Sequence, residues 1–346
     1  MSKKFYLILV IILAIYFYSC SREEIVNIPV ITTQGVFVLY EGVFNQPGSG
    51  DYSFIHLSSG NVDTNVFQNS NNGANLGLFP DGMVLHLNQN LYITSQGNFG
   101  QQGRMFKINA ANNQLLDTVS FGVNPYNFTL ADNNLYVTNI GGNSVTKLDL
   151  DLNVVSSIPV GPNPQDIIYA LGNLYISKAS YTTEYSVAII NVINNQVSNV
   201  FFNAPPVSVA NNIGGVYVST YSNKKLYVLD SLVSNQINDS ISIPVQNAAI
   251  GDIIAGNPRT LYIVGVSDTA FFSNIGKTVY KFDILSRTLD SNFLIQSSGS
   301  DDIYGISYEP FSRRIYIANS RGGNVNGEVR IYDENGVLLN SYNDIG

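Results

Sequence analysis

Tryptophan is absent, cysteine occurs once and histidine twice in a chain of 346 residues. One cysteine excludes an internal disulfide framework and any multi-cysteine metal site. Charge is scarce as well: Asp, Glu, Lys and Arg make up 12% of the residues, about half of the ~25% usual for soluble domains. The balance is acidic, with a formal net charge of −8, so no nucleic-acid partner is expected. What is present in quantity is Asn, Gly, Ser, Thr and Tyr, beside a hydrophobic fraction of 45% that suffices for a core. The first three favour turns, Thr and Tyr favour strands, and the mixture predicts an all-β protein.

One long apolar run exists, Phe5 to Tyr18, preceded by Lys3 and Lys4 and ending at Ser19-Cys20. It is too short to span a bilayer and has the order of a secretory signal. Phe17-Tyr18-Ser19-Cys20 resembles a lipobox, which makes Cys20 the expected lipidation site and residues 1–19 the signal peptide. Acyl chains contribute about 0.8 kcal/mol per buried CH₂, so a multiply acylated N-terminus is a firm anchor. Ser21-Arg22-Glu23-Glu24 follows and resembles the surface-export signal of lipoproteins in Bacteroidota. The expected location is the outer membrane, at the cell surface, with the periplasmic leaflet as the alternative.

A short run of apolar, aromatic and apolar residues recurs along the chain. The copies are Val36-Phe37-Val38, Leu91-Tyr92-Ile93, Leu135-Tyr136-Val137, Leu174-Tyr175-Ile176, Val216-Tyr217-Val218, Leu261-Tyr262-Ile263 and Ile315-Tyr316-Ile317. Their aromatics are 55, 44, 39, 42, 45 and 54 residues apart, which brackets the ~40–50 residues of a four-stranded propeller blade. A second strand in most copies ends in Asn or Asp, as in Lys147-Leu148-Asp149 and Ile331-Tyr332-Asp333. No convincing helical period follows the signal peptide. The reading is a seven-bladed β-propeller of four-stranded antiparallel blades over residues 35–346, with a tether at 20–34. Blade one lacks an obvious inner strand, and Ile25–Ile31 is the segment expected to supply it.

Tyr136-Val137-Thr138-Asn139, Gly142-Asn143-Ser144-Val145 and Ile158-Pro159-Val160-Gly161-Pro162-Asn163-Pro164 resemble the YVTN-repeat, or YncE-like, propellers. That resemblance is sharpest in the third unit. It implies an extracytoplasmic propeller that binds rather than catalyses.

With strands named A to D outward from the channel, the D–A crossings and B–C loops share one face, and the A–B and C–D turns share the other. From the B-strand aromatic to the Asx ending strand C the interval varies between 13 and 21 residues, so the B–C loops are individually elaborated. Those loops hold Phe44, Asn98, Phe99, Tyr181, Tyr185, Tyr221, Phe271, Phe272 and Arg321. The D–A crossings add Asp81, Tyr126, Asn127, Gln165, Asp166, Asp252, Asp302 and Tyr304. Aromatics with amides and carboxylates suit a ligand surface, although such aromatics also cap blades or pack under loops.

No catalytic residue is assigned, because His56 and His86 sit in different units without a motif and read as structural. Asp149, Asp151 and Asp333-Glu334-Asn335-Gly336 lack the EF-hand spacing and read as hairpin turns. No metal and no cofactor are expected. The function expected is non-catalytic capture of a small molecule, glycan or partner protein, as a monomer or within a membrane complex. It resembles the surface propellers that hand cobalamin to TonB-dependent importers. The alternatives are a propeller lactonase or hydrolase, with Asp81, Asp166, Asp252 and Asp302 converging on a channel metal, and a scaffold or adhesin.

Overall fold

The computed structural model describes residues 33–178, 184–230, 236–267, 275–299, 301–321 and 326–346. The expected signal peptide, Cys20, Ile25–Ile31, Tyr181, Phe271 and Phe272 lie outside the described residues. Within them the chain forms seven successive antiparallel meanders, a β-propeller. Blade two shows the plan: strand A Pro80–His86, B Asn90–Ser95, C Gln102–Asn109 and D Leu115–Val123. Blades three to seven repeat it, beginning at Pro125, Ile167, Pro206, Ala249 and Ile303 and ending at Pro159, Phe201, Ser242, Gln296 and Ile345.

Each B strand carries its aromatic into the space between blades. Tyr92, Tyr136, Tyr175 and Tyr262 are fully buried, and each blade's B and C strands pack on the next blade. The Asx at the end of strand C closes the C–D hairpin. Asp149 Oδ1 accepts the amides of Asp151 and Asn153, each at 2.9 Å, and Asp333 Oδ1 does the same for Asn335 and Val337. These acids are turn formers, as their spacing predicts.

Blade one has three described strands, Gly35–Tyr40, Asp51–His56 and Val62–Asp63. Val36, Val38, Ile55 and Leu57 pack against Tyr316, Ile331 and Tyr342, as strands B and C of the other blades pack on their predecessors. The first described strand therefore holds position B, and none of the described strands occupies its position A. The ring closes between blades seven and one through this cluster. One helical turn was not foreseen: α1, Val66–Ser70, follows the short outer strand. Its first amides are held by Asp51, which accepts Phe67 N–H at 2.8 Å and Gln68 N–H at 3.0 Å.

Two features shape the inner ring. The register of strand A slips in blades two, three, five, six and seven, at Pro80/Met83, Pro125/Phe128, Pro206/Val209, Ile250/Ile253 and Ile303/Gly305. Such bulges re-aim side chains. The second feature explains the Thr of Tyr-Val-Thr-Asn. Thr138 Oγ1, fully buried, accepts Asn127 N–H at 3.1 Å in its own blade and donates to Gln165 C=O of the next at 2.9 Å. Thr94, Ser177 and Ser219 make the same two bonds, reaching Tyr126, Val207 and Gly251 carbonyls at 2.7, 2.9 and 2.8 Å. A hydroxyl thus latches blades two to six in series. The equivalent residues of blades six, seven and one are Val264, Ala318 and Leu39, which cannot.

Candidate binding site at the channel mouth

An aligned pair of residues stands at the start of strand A in blades two to seven, within the bulge in every blade but the fourth. In blades two to seven the pairs are Asp81-Gly82, Tyr126-Asn127, Gln165-Asp166, Val207-Ser208, Gly251-Asp252 and Tyr304-Gly305. Three of the second members connect blades three, four and five. Asn127 Nδ2 donates to Asp166 Oδ1 at 3.0 Å, and Ser208 Oγ donates to Asp166 Oδ2 at 2.9 Å. Ile167 and Val209 amides complete the carboxylate's shell at 2.9 Å each. Burial still raises the Asp166 carboxyl above its ordinary value, the four donors working against it.

Asp252 is the next acid round the mouth. It has no hydrogen-bond partner among the described residues. Water reaches it, yet it stands deep within the ring, and desolvation with the Asp166 charge pushes its carboxyl up to about 6. Asp81, on the far side, accepts Gln96 Nε2 and touches Glu41, which projects from blade one. Burial first, and Glu41 second, hold Asp81 well above the ordinary carboxyl range. Glu41 Oε1 in turn accepts Tyr304 Oη of blade seven at 2.7 Å. Tyr126 feels Asp81, Asp252, Glu41 and Asp166 together, and burial with these charges suppresses its ionisation. Acids and phenols from six blades therefore meet at one opening.

Of the residues proposed from sequence, Tyr126, Asn127, Asp166, Asp252 and Tyr304 come together here. Phe44 and Phe99 form a separate rim patch, both largely exposed, each in tilted contact with Phe79 at ring-centroid distances of 5.4 and 6.2 Å. Tyr221 is a correction: it is 1% exposed and packs in the core with Val207, Ala249 and Val266. Tyr185 is half-buried against the core between blades four and five. Asn98 and Gln165 lend their carbonyls to Asn124 and Thr138, so their main chains serve loop structure. Arg321 lies near Asp301 and helps to lower that carboxyl.

Asp302 is also corrected as a member of a converging set. It is ion-paired to Lys277, and its neighbour Asp301 to Arg330 at 2.8 Å. No group of three or more His, Cys, Asp or Glu arranged to hold a metal occurs among the described residues. His56 Nε2 sits 2.8 Å from Asp63 beside the outer hairpin of blade one. Sequence reasoning missed Glu41, Gln96 and Ser208. Only Ser208 had a signal, its alignment with Asn127 and Asp166 two residues after a proline.

Residues 34–344 match a family model described as a domain of unknown function, DUF5074. The chain belongs to the DUF5074 family. No curated protein matches it. Among solved structures, a quinonprotein alcohol dehydrogenase-like protein of Bacteroides thetaiotaomicron is similar, with TM-score 0.65 and 14% identity over 90% of this chain and 75% of that one. The periplasmic gluconolactonase of Pseudomonas aeruginosa gives 0.64 and 12%, covering 90% and 96%. A functionally unknown protein of Desulfotomaculum acetoxidans gives 0.63 and 12%, covering 84% and 91%. At such identities the likeness concerns the fold, and the DUF5074 chain shares with all three a propeller-type architecture.

Proposed function

We propose that this DUF5074 protein is a lipid-anchored outer-membrane protein, at the cell surface, that captures a small polar ligand without chemical change. The channel mouth is its binding site. The observation that carries the reading is the convergence of Glu41, Asp81, Asp166 and Asp252 around Tyr126. Carboxylates accept from ligand hydroxyl or amino groups, the half-buried Asn127 and Tyr126 donate, and the phenol faces supply apolar area. Asp252 has acceptor capacity that its neighbours do not use. A polyhydroxylated or amine-bearing molecule fits this chemistry, as a glycan or a corrinoid side chain would; a free polyanion does not. An importer protein is the expected partner on the rim, where Phe44 and Phe99 stand exposed.

Thermal-shift titration with cobalamin and a panel of mono- and oligosaccharides tests this, since a ligand that binds only the folded state raises Tm. Stabilisation that is lost in Tyr126→Ala and Asp252→Asn supports capture at the mouth. A second reading, a lactonase-type hydrolase, is favoured by one feature: a carboxyl held protonated beside a second acid and a phenol is equipped for proton transfer. Turnover of gluconolactone that disappears in Asp81→Asn would establish it over capture.

A further inference from the structure

Glu41 stands at the junction of two interfaces that lack the hydroxyl latch. Blade one offers Leu39 towards blade two, and blade seven offers Ala318 towards blade one, where other blades carry Thr or Ser. At this junction a different connection runs across three blades. Tyr304 Oη of blade seven donates to Glu41 Oε1 of blade one at 2.7 Å. Glu41 meets Asp81 of blade two, and Gln96 Nε2 donates to Asp81 Oδ2. The loop carrying Glu41 also packs on blade two, since a Cβ at Gly50 would lie 2.7 Å from Pro80. Each acid thus takes one neutral donor, and the two acids face each other.

Two carboxyls in contact cannot both be ionised cheaply, because like charges at this range repel. A proton placed between them turns repulsion into a charge-assisted hydrogen bond, roughly twice as strong as a neutral one. We propose that a proton bridging Asp81 and Glu41 is a pH-sensitive clasp that joins blades one and two at the channel mouth. The groups facing Asp81 are Glu41 and Gln96, with Tyr126 of blade three and Tyr304 of blade seven beside them. Asp166 and Asp252 lie further round the mouth, and no described Lys, Arg or His contributes to the environment of Asp81. No cation among the described residues replaces the proton when it leaves. The clasp is closed in acid and opens as pH rises, at the opening the ligand is proposed to use, though the clasp does not depend on that reading.

The direction of the pH effect follows from Asp81 binding its proton more tightly in the folded protein than in the unfolded chain. Its contribution to stability is present in acid, below the ordinary Asp range, and is lost as pH rises through the raised value. Asn at position 81 mimics the protonated acid, donating to Glu41 and accepting from Gln96. Melting of the full chain is therefore compared for wild type, Asp81→Asn and Glu41→Gln between pH 4 and pH 8. Asp81→Asn should match wild type at pH 4 and exceed it by about 2 °C or more at pH 8. Carboxyl carbon-13 titration should show Asp81 releasing its proton far above ordinary aspartates, and much closer to them in Glu41→Gln. Parallel melting curves for wild type and Asp81→Asn, or Asp81 titrating like an exposed aspartate, would overturn the clasp.

Discussion

Blades two to six and the arc through blades six, seven and one solve the same packing problem with different chemistry. In the first arc one buried hydroxyl per interface bonds two main-chain groups, one on each side. In the second, charged side chains join the blades. Lys277 of blade six pairs with Asp302 of blade seven, and within blade seven Arg330 ties the incoming Asp301 at 2.8 Å and Glu328 at 2.6 Å. On the opposite face Glu334 of blade seven accepts Asn257 Nδ2 at 2.9 Å, and its carbonyl accepts Lys281 Nζ at 2.9 Å. Blades six and seven even pair directly, Gly276 with Ile303. Neutral latches are short-ranged and indifferent to salt and pH; ionic joints respond to both. Ion pairs cross the first arc too, Lys107 with Asp151 and Arg287 with Asp239, but at the solvent-exposed surface. In its buried joints the ring has a constant arc and a responsive one, and the mouth acids straddle the two.

The largest effect should come from breaking the constant arc. Thr138→Val leaves Asn127 N–H and Gln165 C=O buried without their partner, which costs about 1–3 kcal/mol in urea unfolding. Ser177→Ala should behave alike, and neither penalty should change with salt. Arg330→Met in the responsive arc should cost roughly 1–2 kcal/mol at low salt, since its partners are mostly shielded from solvent. Unlike the Thr138 penalty, this one should shrink in 1 M NaCl. Equal salt dependence for the two variants would erase the distinction.

A smaller, pH-bound effect belongs to Asp252. Its carboxyl is raised to about 6, so the folded protein holds that proton more tightly than the unfolded chain. The associated stability is present below about pH 4 and is lost as pH rises through about 6. Asp252→Asn should gain on wild type across that window and keep a constant advantage above it, read as the difference between their Tm values. Smallest of all, Ala318→Ser, which offers blade seven a latch hydroxyl, should move stability by no more than about 0.5 kcal/mol. A large gain there would mean that the responsive arc is only a defective copy of the other.

The repeat itself was legible because the B-strand aromatic must be buried between blades at every turn of the ring. Tyr92, Tyr136, Tyr175, Tyr217, Tyr262 and Tyr316 keep that place whatever their loops do. Alternation of strand direction also gave the face, so Tyr126, Asn127, Asp166, Asp252 and Tyr304 could be placed together before any contact was known. Tyr221 misled because it directly follows strand B, where loop residues usually turn outward; here it folds under blade six instead. Asp302 misled because its partner, Lys277, is 25 residues earlier on another blade. Glu41 was illegible for the same reason: its meaning lies in Asp81 and Tyr304, which local pattern does not connect.

The central claim is that acids and phenols gathered at the channel mouth make a binding site. Thermal-shift titration of wild type against Tyr126→Ala, Asp252→Asn and the opposite-face pair Gln89→Ala with Asn173→Ala tests it most directly, with cobalamin and the saccharide panel as probes. The account predicts that a probe stabilises wild type and the opposite-face variant equally and that either mouth substitution weakens its binding at least tenfold. Binding that survives both mouth substitutions, or fails with the opposite-face pair, would contradict it.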